Sequence, residues 1–291
     1  MISIMFNRRT SGSVVCPSCG SLVGVRDERC YNCGRTNPGL WGYAPALRQL
    51  GLNFGFVPVV IGASTVLYVL TLVASGSNLQ IAGGGGIMNF LAPSAGAIQE
   101  FGASGAFPVF GRGWWWTLLT AGWLHANLLH ILFNMMWVRD LGPVLVDLVG
   151  TPRTIIIYIV SGVCGFFLSS LLWYIGLPIP IFHGAPLTLG ASASILGLLG
   201  ALLHYGRTSG SRLIHSTALN YVVIIFIMGL VFPGVDNTAH AGGFLGGYAA
   251  SAFFNPLTRE KGDHMLIAVV LLAATALAFV FHIAHYISLL G

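Results

Sequence analysis

A serine and a histidine that meet where water is scarce can cut an amide, because the imidazole takes the hydroxyl proton as the oxygen attacks. Two apolar runs of this chain offer the pair: Gly190-Ala191-Ser192-Ala193-Ser194 opens one, and Thr238-Ala239-His240-Ala241-Gly242-Gly243 opens another. A serine costs little in such a run and often bonds the carbonyl one turn back. A histidine there is costly and marks a functional site by default. Ser192 and Ser194 stand about 200° apart on a helix, so only one can face His240, and spacing leaves the choice open. A third run holds His130-Ile131-Leu132-Phe133-Asn134, with His130 and Asn134 on one face. Both donate hydrogen bonds, as a developing oxyanion requires; bridging two helices is the plainer use of the same groups. His125 stands five residues before His130, at the expected membrane interface. No carboxylate lies at that depth, so a dyad is expected rather than a triad. A three-histidine metal site (His125, His130, His240) is the alternative, although no H-E-x-x-H motif is present.

A second set of reactive residues lies near the N-terminus. Cys16-Pro17-Ser18-Cys19 and Cys30-Tyr31-Asn32-Cys33 are each followed by glycine. Two such turns supply four thiolates to a tetrahedral ion, so structural zinc on Cys16, Cys19, Cys30 and Cys33 is expected, ahead of iron or two disulfides. About 25 residues cannot build a core, and the metal would supply the folding energy.

The elements that must position these groups follow from composition. The chain has 291 residues, 55% of them hydrophobic and 7% charged, with a mean hydropathy of +0.82. A soluble domain carries about 25% charged residues, so this is a polytopic membrane protein. Apolar runs at about 56–74, 127–147, 154–175, 188–205, 217–232, 237–254 and 265–290 give seven expected spans. With the N-terminus cytoplasmic, twelve of the thirteen basic residues, Arg48, Arg139, Arg153 and Arg259 among them, fall inside, and only Arg112 falls outside. The net charge of +5 therefore reports topology, and no nucleic-acid partner is expected. A cytoplasmic cysteine module favours metal over disulfide. The N-terminus has no long apolar h-region, so the first run is expected to be an uncleaved anchor.

Counting from Thr188 and Asp236, Ser192 and His240 each lie about four residues into their spans, at matching depth. Small residues at Gly190, Ala193, Gly197, Gly200 and Ala201 on one helix, and at Ala239, Gly243 and Gly247 on the other, would let the backbones touch. The long stretch at 76–126 begins flexibly, around Gly83 and Gly86, and ends in Trp114-Trp115-Trp116. Tryptophan favours the headgroup zone, so this part is expected in the interface; the alternative is that Trp114 begins the second span. His204, His215, His264, His282 and His285 are read as non-catalytic, and Cys164 as apolar filler.

Together, Gly190-Ala191-Ser192 with Gly197, His125 with His130 to Asn134, and Ala239-His240-Ala241-Gly242-Gly243 resemble the three signature motifs of the rhomboid family of intramembrane serine proteases. The resemblance covers about residues 56–255. It implies Ser192 as nucleophile, His240 as general base, and His130 and Asn134 as oxyanion partners beside the Ser192 amide. It implies an all-α polytopic membrane protein: a six-helix rhomboid-like core (56–255) and a seventh C-terminal helix (256–291), preceded by a zinc ribbon (1–36) and a linker (37–55). Catalysis would need no cofactor. The expected partners are transmembrane protein substrates, the bilayer and, for the zinc ribbon, a cytoplasmic protein; the expected place is a bacterial inner membrane. A catalytically dead relative that binds membrane helices is the alternative. This chain departs from the family at three positions: Ala193 replaces the usual glycine beside the oxyanion site, Thr117 replaces an arginine after Trp116, and Leu196 replaces a tyrosine that stacks on the histidine.

Overall fold

A helix that is apolar all round must be covered by lipid or by other helices, and the computed structural model uses both. It describes residues 8–16, 19–45, 55–79, 90–177, 179–232, 234–258 and 261–289. Arg48, Arg259, residues 46–54 of the expected linker and the Gly83–Gly86 run lie outside the described residues. A hairpin of β1 (Ser13–Val15) and β2 (Leu22–Gly24), paired Val14 to Val23, opens the described chain. Seven long helices follow among the described residues: α1 (Phe56–Ser75), α2 (Leu128–Val149), α3 (Thr151–Ile175), α4 (Ser192–Ser209), α5 (Arg212–Val231), α6 (Asn237–Phe254) and α7 (Gly262–Ser288).

Four of these, α1, α3, α5 and α7, are long and apolar enough to cross a bilayer. Of these, α1, α5 and α7 expose Val66, Val73, Leu230, Leu277 and Val280, as helices that face lipid do. The helices α4 and α6 are richer in glycine because they face protein. A Cβ on Gly243 would strike the Ala193 carbonyl, and one on Gly247 would strike the Gly197 carbonyl. Without a hydrophobic drive between helices in lipid, such close backbone packing is what holds them together. On its other side α4 meets α3, where Gly162 leaves room for the Ser194 hydroxyl.

The start of α4 differs from expectation. Residues 188–191 are not helical: Thr188 pairs with Ser104 in an isolated bridge, and the Gly190 amide donates to the Ala121 carbonyl at 3.0 Å. The reason is Gly190, whose φ of +125° no helix accepts. Ser192 is therefore the first helical residue rather than one turn deep.

The stretch before α2 is a folded loop with short helices at Ala95–Glu100 and Thr117–Thr120, and Trp114 does not begin the second span. One imidazole pins this loop to α7. The Trp116 indole N–H donates to His282 Nδ1 at 2.9 Å, which leaves Nε2–H to donate to the Gln99 carbonyl at 2.8 Å. At the opposite end α7 is held by Arg153, which is buried and donates to His264 Nδ1 (3.0 Å) and the Thr258 carbonyl (2.8 Å). Arg35, two residues past the last of the four clustered cysteines, pairs with Asp263 at 2.7 Å.

Candidate active site and four-cysteine cluster

The site is assembled from the first turns of α2, α4 and α6. Each turn has an identifiable start. Asn127 caps α2 by accepting from the His130 amide (2.8 Å), and Asp236 caps α6 by accepting from the Ala239 amide (2.9 Å). The second carboxylate oxygen of Asp236 accepts a very short hydrogen bond from Ser169 on α3. The cap therefore also fixes how far α6 is seated.

Ser192 Oγ lies 2.9 Å from His240 Nε2. Ser194 points the other way, into α3, so the choice that spacing left open is made by packing. On its far side, His240 Nδ1 lies 3.2 Å from Asn237 Oδ1. An amide oxygen can only accept, so it holds the proton on Nδ1 and leaves Nε2 bare toward the serine. Asn237 is buried and is held in turn by its amide on the Phe226 carbonyl, at 3.4 Å. It was missed in the sequence, although Asn237-x-x-His240 on one helix face was the signal for it. Its role is positioning. If Ser192 acts as a nucleophile, Asn237→Ala is expected to lower kcat about tenfold with KM unchanged. A change in KM alone would argue for a packing role.

His130 takes the opposite tautomer. The Ala126 amide donates to its Nδ1 at 3.3 Å, which puts the ring proton on Nε2. That nitrogen abuts the turn before Ser192, since a Cβ on Gly190 would lie 2.6 Å from it. Gly190 is thus required twice, for its φ and for this approach. Asn134 is buried, and one hydrogen of its amide goes to the His130 carbonyl at 2.8 Å. His125 is fully buried, edge-on to His130 at 5.2 Å between ring centroids. Among the described residues the three histidines do not form a metal-ligating group.

Two departures from the family pattern acquire a structural account. The Ala193 methyl packs in a buried cluster with Ala121, Phe166 and Ala239, where Gly165 leaves it space. It fills α3's surface rather than crowding the serine. With Leu196 buried in the core, Phe226 of α5 stands edge-on to His240 at 6.1 Å.

The four cysteine sulfurs all lie within 4.8 Å of one another, with Cys16 and Cys33 at 3.8 Å and Cys19 and Cys30 at 3.5 Å. A tetrahedral ion with 2.3 Å bonds to sulfur needs edges of about 3.8 Å, so the set fits a metal ion. Hydrogen bonds from Ser21, hydroxyl before amide, draw the Cys19 thiol down to about 6, which makes it a thiolate at neutral pH. Cys16 and Cys30 are buried in the module's small core with Val14 and Val23.

Fold and site define a class: a polytopic, all-α membrane protein in which a hydrogen-bonded serine and histidine head two glycine-packed helices. Residues 112–257 match the rhomboid domain, and the chain belongs to the rhomboid family. It is 32% identical over 178 residues to the rhomboid protease GluP of Bacillus subtilis, covering 60% of this chain and 33% of that one. It is 32% identical over 214 residues to RHOMBOID-like protein 7 of Arabidopsis thaliana, covering 66% of this chain and 63% of that one. Rhomboid-like protease 1 of Toxoplasma gondii is 24% identical over 255 residues, 84% and 80% of the two chains. The chain thus spans a third of the first relative's length and just under two-thirds of the second's.

Proposed function

We propose that the protein is an intramembrane serine endopeptidase that cleaves membrane-anchored proteins through a Ser192–His240 dyad. The observation that carries this reading is the 2.9 Å contact between Oγ and the bare Nε2, with Nδ1 tied to Asn237. A substrate helix would unwind near the headgroup level and present a carbonyl to Ser192. As Oγ bonds to the carbonyl carbon, its proton passes to His240 Nε2. The resulting oxyanion would be met by the Ser192 amide, unpaired at the start of α4, and by His130 Nε2–H. Asn134 spends one amide hydrogen on the His130 carbonyl and would offer the second to the oxyanion. The imidazolium then returns its proton to the leaving amine, and a water activated by the same nitrogen hydrolyses the acyl-enzyme. Helix α5 buries only Ala218, Val222 and Ile225, so it is the wall that yields most readily to an incoming helix.

The remaining expectations join this reading: seven spans with the N-terminus in the cytoplasm, a bacterial inner membrane, transmembrane substrates, and zinc on Cys16, Cys19, Cys30 and Cys33 docking a cytoplasmic protein. Zinc would supply folding energy to the module and no catalytic chemistry. Cys16→Ser is expected to reduce bound zinc from one equivalent to a small fraction, read by elemental analysis, while cleavage persists. Unchanged zinc would remove the assignment.

The protease reading is tested by reconstituting the full chain in vesicles with a reporter whose transmembrane segment carries small residues near its outer end. Wild type should cut it and His240→Ala should not. An intact reporter with a folded wild-type protein would favour a relative that only binds helices.

A further inference from the structure

At the end of the bundle that carries Ser192, a cavity of about 400 Å³ opens between the loop before α2 and the last turns of α7, lined by Arg112, Trp114, His285, Tyr286 and Leu289. Arg112 stacks on two rings, 4.8 Å from the centre of Phe107 and 4.6 Å from that of Trp114. Stacking fixes the guanidinium plane and leaves its in-plane N–H groups for a ligand. Among the described residues Arg112 makes no hydrogen bond or ion pair, and no carboxylate lines the cavity. His285 is held edge-on to Trp114 and Trp116, at 5.8 and 5.9 Å, and Tyr286 edge-on to Trp114 at 6.4 Å. Every polar side chain of the lining can donate a hydrogen bond, and the one fixed charge is positive. An anion is what such a lining takes.

The surroundings say which anion. Below the cavity α7 exposes Leu277, Val280 and Phe281, an apolar strip on a helix long and apolar enough to cross a bilayer. A fixed cation beside tryptophans, at the head of a lipid-facing strip, is the arrangement that seats a headgroup phosphate above its acyl chains. We propose that this cavity binds the phosphate of an anionic phospholipid, with Arg112 as its charged contact and the acyl chains lying along Leu277, Val280 and Phe281. Among the described lining residues none carries a carboxylate, which disfavours headgroups that carry an ammonium. Through Trp114 the bound lipid would brace the loop that leads to His125 and His130.

The full chain in detergent, titrated with phosphatidylglycerol and followed by native mass spectrometry, tests this. Arg112→Gln should weaken binding about tenfold, whereas Arg139→Gln, exposed at the opposite half of α2, should not change it. Phosphatidylethanolamine and diacylglycerol should bind more weakly to the wild type and be indifferent to Arg112. Equal binding of phosphatidylglycerol by wild type and Arg112→Gln would overturn the proposal. Displacement of the lipid by low-millimolar inorganic phosphate would also overturn it, by making a free phosphate the ligand. Circular dichroism of the Arg112→Gln protein must match the wild type, and Arg112→Lys, which keeps the charge and loses the stacked plane, should fall between the two.

Discussion

Ser192→Ala is expected to abolish cleavage of a transmembrane reporter, a loss in kcat of at least about ten-thousand-fold, while Ser194→Ala leaves it within severalfold of wild type. The magnitude follows from removing the atom that forms the acyl bond, which the remaining binding groups cannot replace. The asymmetry between two serines one residue apart follows from packing. Ser192 is 2.9 Å from His240 Nε2, whereas Ser194 is 2% exposed and lies against Gly162 of α3. Gel-based cleavage with both variants at matched expression measures it. Loss in Ser194→Ala alone would transfer the nucleophile.

Gly247→Ala should lower cleavage about a hundredfold, although it touches neither reacting group. Its Cβ would strike the Gly197 carbonyl, in a contact with no flexible side chain to give way. The helices must part by roughly a methyl radius, and overpacking of this kind costs about 1–3 kcal/mol. The same parting reaches the site, where a displacement of about 1 Å at the reacting atoms lowers rate around a hundredfold, about 2.7 kcal/mol. Gly62→Ala on α1 is the control, since a methyl there meets nothing within 4 Å. Thermal unfolding and reporter cleavage, measured together, separate the two effects. Wild-type activity in Gly247→Ala would show that the α4–α6 contact does not set the site.

The sequence made the Ser192 and His240 helices legible because lipid imposes strong rules: long apolar runs, basic residues on one side, and small residues wherever backbones must touch. Those rules describe single helices. What they do not describe is where a chain leaves helical geometry. Gly190 looked like one more small residue in a stripe, yet its positive φ starts α4 at Ser192 and opens the space that His130 Nε2 occupies. Asn237 was hidden for a different reason. At the mouth of a helix an asparagine reads as a cap, but Asp236 takes the cap and frees Asn237 to hold the imidazole. Contacts between distant segments had no local signal at all. Nothing near Trp116 points to His282, and nothing near Arg35 points to Asp263; both pairings exist because α7 packs back along the bundle. Asn134 marks another limit: spacing puts it on the His130 face but does not say that one of its amide hydrogens goes to the His130 carbonyl.

The most direct measurement is covalent trapping. A serine-directed fluorophosphonate, added to the detergent-solubilised full chain and followed by peptide mapping, should leave one adduct, on Ser192, that disappears in His240→Ala. An adduct on Ser194, or labelling of Ser192 that survives loss of His240, would contradict a hydroxyl activated by that imidazole.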